Sequence, residues 1–127
     1  MTMKTKPNVL LIEDSIDNLE VLRVLLDQDY AVNACSSCSE ALEVMLQVMP
    51  DLLLMDIAMP EVDGIVCLGR IRMAPEFRHI PAIAVTAYAY DSDRKRCFEA
   101  GFAAVVTKPI LDQGQLRRIM ADVLLKK

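Results

Sequence analysis

Residues 51–64 read DLLLMDIAMPEVDG. Leu52 to Met55 form an unbroken apolar run that ends on Asp56, and Met59-Pro60 and Asp63-Gly64 then signal a turn. A short apolar run with no alternating polar face, bounded by turn residues, predicts a strand buried on both sides of a parallel sheet. A carboxylate at the tip of such a strand either caps the next helix or takes part in chemistry.

Runs of the same kind recur at Val9–Ile12, Ala31–Ala34, Ala82–Val85 and Ala104–Val106. Helical patterns separate them. The first spans about Asn18 to Asp27, with Leu19, Leu22, Leu25 and Leu26 at helical spacing. The second starts near Ser39, taken as its N-cap, and Pro50 stops it. The third follows Gly64 and ends before Pro75, and the fourth lies between Asp91 and Ala100 with Gly101 as its stop. The last runs from Asp112 to Leu125, where Leu116, Ile119, Met120, Val123 and Leu124 make the clearest apolar face. Five strand–helix units predict an α/β fold: a doubly wound five-stranded parallel sheet with five helices and no internal repeat or linker.

The chain has 127 residues, which suits a single domain, 1–127. At 54% hydrophobic and 25% charged it can bury a core and is not of disordered composition. A net charge of −4 argues against nucleic acid held by bulk electrostatics, and the short basic runs at Arg94-Lys95-Arg96 and Arg117-Arg118 read as solvated helix faces. The first apolar run is too short for a signal peptide, and no stretch nears the ~20 apolar residues of a membrane span, so the expectation is a cytoplasmic protein. Cys35 and Cys38 form a C-x-x-C. With His79 the lone histidine, a four-ligand zinc site is not supported. The pair reads as small packing residues at a strand–helix junction, with a thioredoxin-like dithiol as the alternative; Cys67 and Cys97 read as helix-packing residues.

Ligands of doubly wound sheets bind at the carboxyl ends of the strands, near the point where strand order reverses. Glu13 and Asp14 follow the first strand, Asp56 the third, Thr86 the fourth, and Lys108-Pro109 the fifth. Singly, such residues are usually caps or solvated groups. Together they gather three acids, a hydroxyl and an amine at one edge. Three close carboxylates repel, and Lys108 offsets one charge only. A hard divalent ion with oxygen ligands offsets the rest, and few protein ligands favour Mg²⁺ over Ca²⁺. The absence of His or Cys at these positions argues against zinc. Such a set suits phosphoryl transfer, with Asp56 as nucleophile, Lys108 and Mg²⁺ neutralising the transferring oxygens, and Thr86 donating a hydrogen bond. No glycine-rich nucleotide cradle is present.

The ordered motifs VLLIEDS, LLLMDIAMPEVDG, IPAIAVTAYA, CFEAGF and TKPI cover nearly the whole chain. In these it resembles the receiver domain of two-component response regulators, the family of the chemotaxis response regulator. It also looks like the stand-alone and hybrid-kinase receivers of the cell-cycle type. The resemblance implies the flavodoxin-like strand order 2-1-3-4-5. It implies a phosphoryl group passed from a phosphohistidine of a histidine kinase or histidine phosphotransfer protein to Asp56. It implies Mg²⁺ on Asp14, Asp56 and the backbone carbonyl of Ala58, with Glu13 acting through water. It further implies that Lys108 contacts the phosphoryl group, that Thr86 moves toward it on activation, and that the bond before Pro109 is a candidate cis peptide.

The family's aromatic switch position, three residues before the lysine, is Val105 here. That departure puts the aromatic switch in question. Tyr88 and Tyr90 could report the change instead, against the plainer reading of exposed loop tyrosines. Output is expected through protein contacts of the fourth helix, fifth strand and fifth helix, with no nucleic acid and no membrane. Two other readings stand beside this one. A receiver-like module that no longer accepts phosphate is favoured only by Val105. A Mg²⁺-dependent phosphohydrolase with an aspartyl nucleophile usually carries a second acid two residues on, where this chain has Ala58.

Overall fold

The five apolar runs form one parallel sheet in the computed structural model, which describes residues 6–59, 62–87, 90–108, 110 and 113–126, and the strands lie side by side in the order second, first, third, fourth, fifth. In chain order the elements are β1 (Asn8–Ile12), α1 (Ile16–Leu26), β2 (Ala31–Cys35), α2 (Cys38–Gln47), β3 (Leu52–Asp56), α3 (Gly64–Arg72), β4 (Ala82–Thr86), α4 (Asp91–Glu99), β5 (Ala104–Thr107) and α5 (Gln113–Leu125). A short 3₁₀ turn, Pro75–Phe77, follows α3, an element that the apolar pattern does not signal. Proline at its first position needs no amide partner there.

Burial explains the apolar runs. Every residue of β3 and β4 is buried, whereas edge strand β2 is only partly covered. Alternate strand residues face two cores. Leu10, Ile12, Leu53, Met55, Ala82 and Ala84 join Ala41 and Met45 of α2 and Leu68 and Ile71 of α3. Val9, Leu11, Leu52, Leu54, Ile83 and Val85 join Leu22 and Leu26 of α1 and Leu116 and Met120 of α5. Helices therefore cover both faces, as the doubly wound reading requires.

The helix starts differ from expectation at two places. α1 begins at Ile16 because Ser15 caps it, accepting from the Asn18 N–H. α2 begins at Cys38, one residue before the expected cap Ser39, because Ser37 accepts from the Glu40 N–H at 3.2 Å and Glu40 accepts from the Ser36 N–H at 3.1 Å. Ser37-x-x-Glu40 has the spacing of a capping box, a signal also present in the sequence, but Glu40 reaches back to the N–H of Ser36, one residue before the cap, rather than to that of Ser37. Asp63 caps α3 through the Val66 N–H at 2.9 Å. Gly101 ends α4 at φ +107°, a conformation that a side chain disfavours. The expected start of α5 at Asp112, and Tyr88 and Pro109, lie outside the described residues.

The cysteine reading needs correction. Cys38 does not pair with Cys35. It is disulfide-bonded to Cys67 of α3, with the two Cα atoms 5.7 Å apart. Cys35 points into the core and donates to the Leu11 carbonyl at 3.5 Å. Burial, reinforced by the Glu40 charge, pushes its thiol up to about 12, which leaves it a poor redox partner. The C-x-x-C spacing brings the two residues to one junction, but the strand–helix turn between them sends their side chains to different neighbours.

Candidate functional site

Strand order reverses between β1 and β3, and the candidate acids flank that reversal. Asp56 is the last residue of β3, and Glu13 immediately follows β1. Both are almost fully buried, with 4% and 2% of their surface exposed, while Asp14 faces solvent. Backbone bonds fix them. The Glu13 N–H donates to the Cys35 carbonyl at 3.0 Å, and the Ile57 N–H donates to the Val85 carbonyl at 3.1 Å. Glu13 is thus held by the neighbouring strand β2 and Asp56 by the neighbouring strand β4.

Lys108 reaches both buried acids. Its Nζ lies 3.1 Å from Glu13 Oε2, 3.3 Å from Glu13 Oε1 and 3.3 Å from Asp56 Oδ2. The Lys108 N–H donates to the Thr86 carbonyl at 2.8 Å, which anchors the start of the β5–α5 connection to the end of β4. Thr86 ends β4 and is 2% exposed. The Ala58 N–H donates to Asp56 Oδ1 at 3.1 Å, an Asx-type turn that sets the carboxylate's orientation. Asn18, not singled out from the sequence, donates through Nδ2 to Glu13 Oε1 at 3.0 Å. Its place on the first turn of α1, five residues after Glu13, was the available signal.

The electrostatics follow from this packing. Burial pushes the Asp56 carboxyl up to about 6, Glu13's charge pushes in the same direction, and Lys108 pulls against both. Glu13, Asp14 and Asp56 each place one carboxylate oxygen within 4.8 Å of the others. Three acids meet one lysine, so charge remains uncompensated. An all-oxygen donor set with excess negative charge fits a hard divalent cation such as Mg²⁺ and gives nothing to a metal that prefers nitrogen or sulfur. The sites expected at Glu13, Asp14, Asp56, Thr86 and Lys108 therefore come together at one sheet edge. Val105 does not join them. It is 7% exposed and joins the core on the sheet face that also buries Cys97 of α4, on the edge strand β5 that packs against α4. Tyr90 stands in solvent at the start of α4, in keeping with the plain reading of a loop tyrosine.

Beside Lys108 a cavity of about 400 Å³ opens between α1 and the β4 and β5 ends, lined by Asn18, Val21, Leu22, Val85, Ala87 and Ile110. A second, of about 160 Å³, lies between the residues after Asp56 and α4, with Ala58, Thr86 and Arg96 on its walls. Lys108 thus lines the first opening and Thr86 the second. No helix among the described residues is long and apolar enough to cross a membrane.

Residues 9–121 match the family model described as the response regulator receiver domain. A polar-differentiation response regulator, DivK, of Brucella ovis is 38% identical over 104 residues, covering 81% of this chain and 85% of its own. An uncharacterized 14.6 kDa protein of Leptolyngbya boryana is 37% identical over 119 residues, covering 93% of this chain and 90% of its own. The crystal structure of the receiver domain of a sensor histidine kinase from Pseudomonas aeruginosa superposes with a TM-score of 0.84 at 30% identity, covering 94% of this chain and 98% of that one. It holds a magnesium ion in its active site cleft.

Proposed function

This chain belongs to the response regulator receiver family of two-component signalling, and from that premise we propose that residues 1–127 form one receiver domain whose phosphoacceptor is Asp56. The observation that carries the assignment is the contact set of Asp56, Glu13 and Lys108 at the reversal of strand order. Asp56 Oδ2 attacks the phosphorus of a phosphohistidine on a histidine kinase or histidine phosphotransfer protein. The new P–O bond replaces the P–N bond, and the imidazole leaves and takes up a proton.

Lys108, already 3.3 Å from Asp56, moves its charge from the carboxylate to the oxygens of the arriving group. Thr86, at the adjacent strand end, offers its hydroxyl to one of those oxygens. Asp14, Asp56 and the Ala58 carbonyl would hold Mg²⁺, with Glu13 beside them. That ion supplies positive charge to the transferring phosphoryl oxygens. Ala58 contributes no side-chain group able to activate a water, which sets this site apart from an aspartyl phosphohydrolase. The protein is read as a phosphoacceptor switch rather than an enzyme.

For output, α4, β5 and α5 are the proposed face, where Tyr90, Phe98 and Leu125 are exposed. Val105 has no ring to swing, so the signal travels through Thr86 and the residues after β4 rather than through an aromatic side chain. The partners are proteins, with no nucleic acid or membrane, and the location is cytoplasmic.

The test is intact mass after incubation with acetyl phosphate, with and without Mg²⁺. The expected result is a single phosphoryl adduct that requires Mg²⁺ and is absent in Asp56→Asn. An adduct that survives the substitution overturns the assignment. An unlabelled wild-type chain, with both acetyl phosphate and a phosphorylated kinase, makes it a module that no longer accepts phosphate. Continuous hydrolysis of varied phosphate esters makes it a hydrolase.

A further inference from the structure

The bridge between Cys38 and Cys67 lies one short step from the backbone that holds each buried acid. Cys67 sits in the first turn of α3, and its N–H donates to the Asp63 carbonyl at 2.9 Å. The next residue, Gly64, donates its N–H to the Ile57 carbonyl at 2.8 Å, and a Cβ placed on Gly64 would stand 2.6 Å from the Asp56 carbonyl oxygen. The start of α3 is therefore pressed against the backbone of the phosphoacceptor. Across the bridge, Cys38 opens α2, three residues after Cys35, whose carbonyl accepts the Glu13 N–H. The disulfide thus closes a loop of contacts that runs from Asp56 through α3 to α2 and on to Glu13. α2 and α3 are otherwise joined by apolar packing, which allows small sliding shifts that a covalent link does not.

We propose that Cys38 and Cys67 are a reversible dithiol–disulfide modification site, oxidised by a peroxide or a low-molecular-weight disulfide, that sets how firmly Glu13 and Asp56 are held for cation binding. In forming the bond, two thiols lose two protons and two electrons. Hydrogen peroxide takes these up and leaves as two waters, or a small disulfide takes them up and leaves as two thiols. Both cysteines are buried, but Cys38 keeps 5% of its surface exposed against none for Cys67, so a small oxidant enters at Cys38. The Cα separation of 5.7 Å lies in the range that the bond spans without backbone movement, so both redox states share one fold. The oxidised form fixes the spacing of the two loops, and the reduced form relaxes it. Cys35 and Cys97 remain free and buried in the described structure and take no part.

The redox site stands apart from the phosphoacceptor reading, and its effect on Mg²⁺ binding rests only on the cluster of Glu13, Asp14 and Asp56. The experiment is done on the wild-type chain, prepared reduced with dithiothreitol or oxidised with hydrogen peroxide and then freed of either. Alkylation under denaturing conditions followed by peptide mass mapping locates the bond. Calorimetric titration with Mg²⁺ measures the acid site without needing phosphorylation. The expected result is a Cys38–Cys67 link in the oxidised sample and Mg²⁺ binding weakened roughly tenfold on reduction, the lower end of what losing a support costs a metal site. The difference should vanish in Cys67→Ser and persist in Cys97→Ser, each checked for fold by circular dichroism.

Four alkylated thiols after peroxide treatment, or a bond between any other pair, overturns the site. Equal Mg²⁺ binding in the two redox states of the wild type overturns its coupling to the acids. Redox-dependent Mg²⁺ binding without any phosphoryl adduct leaves this inference standing and overturns the phosphoacceptor reading alone.

Discussion

Asp56 is costly to the fold, and its replacement by asparagine should stabilise the metal-free protein. The gap between the ordinary carboxyl value of 3.8 and about 6 means that charging Asp56 in the folded state is unfavourable. At about 1.4 kcal/mol per pH unit this amounts to about 3 kcal/mol near neutral pH. Lys108's attraction is already included, because it acts against burial and Glu13 in setting that value. Asparagine keeps an oxygen for the Ala58 N–H and removes the charge, while Lys108 remains paired with Glu13. Allowing for relaxation around the amide, the gain should be about 1–3 kcal/mol, or an increase in Tm of roughly 4–10 °C for a domain of this size.

The pH dependence has a definite sign. The folded-state value is raised, so the stability associated with neutral Asp56 is complete below about 3.8 and is lost as pH rises through about 6. The variant's advantage should therefore be small at pH 4, grow between pH 4 and 7, and be full at pH 8. Urea unfolding of both proteins in EDTA at these pH values measures it, and the comparison cancels the titration of the other groups. Mg²⁺ should stabilise the wild type more than the variant and narrow the gap. A variant no more stable than wild type at pH 8, or an advantage independent of pH, would refute the reasoning.

Three further outcomes are expected. Gly64→Ala drives a methyl group to within 2.6 Å of the Asp56 carbonyl, so it should destabilise the fold by about 1–3 kcal/mol and slow phosphoryl acceptance, read by urea unfolding and intact mass. Asn18→Ala removes the amide that holds Glu13 Oε1, so Mg²⁺ affinity measured by calorimetry should fall several-fold with about 1 kcal/mol lost in stability; an unchanged affinity would leave Asn18 without a positioning role. Val105→Ala opens a small cavity in the core and should cost about 1–3 kcal/mol, yet leave Asp56 labelling largely intact by intact mass; complete loss of labelling in a folded variant would show that Val105 relays the switch after all.

The apolar runs settled the fold because burial on both faces leaves a mark on every residue of a strand. Leu52 to Met55 and Ala82 to Val85 could hardly be anything but central strands, and Glu13, Asp14, Asp56, Thr86 and Lys108 could be placed at one edge by their positions after those strands. The family pattern then supplied the order 2-1-3-4-5, which composition and periodicity alone could not. Three things waited for the tertiary structure. Lys108 contacts both buried acids at once, because β4 and β1 bring the strand ends to the two sides of Asp56. Asn18 reaches Glu13 only because Ser15 starts α1 early enough to turn it back over the sheet edge. Cys38 meets Cys67, 29 residues away in sequence, rather than its near neighbour Cys35. Burial of a strand is a local property that residue type records. The partner of a side chain depends on which elements pack side by side, and the 35–38 spacing carried no information about α3.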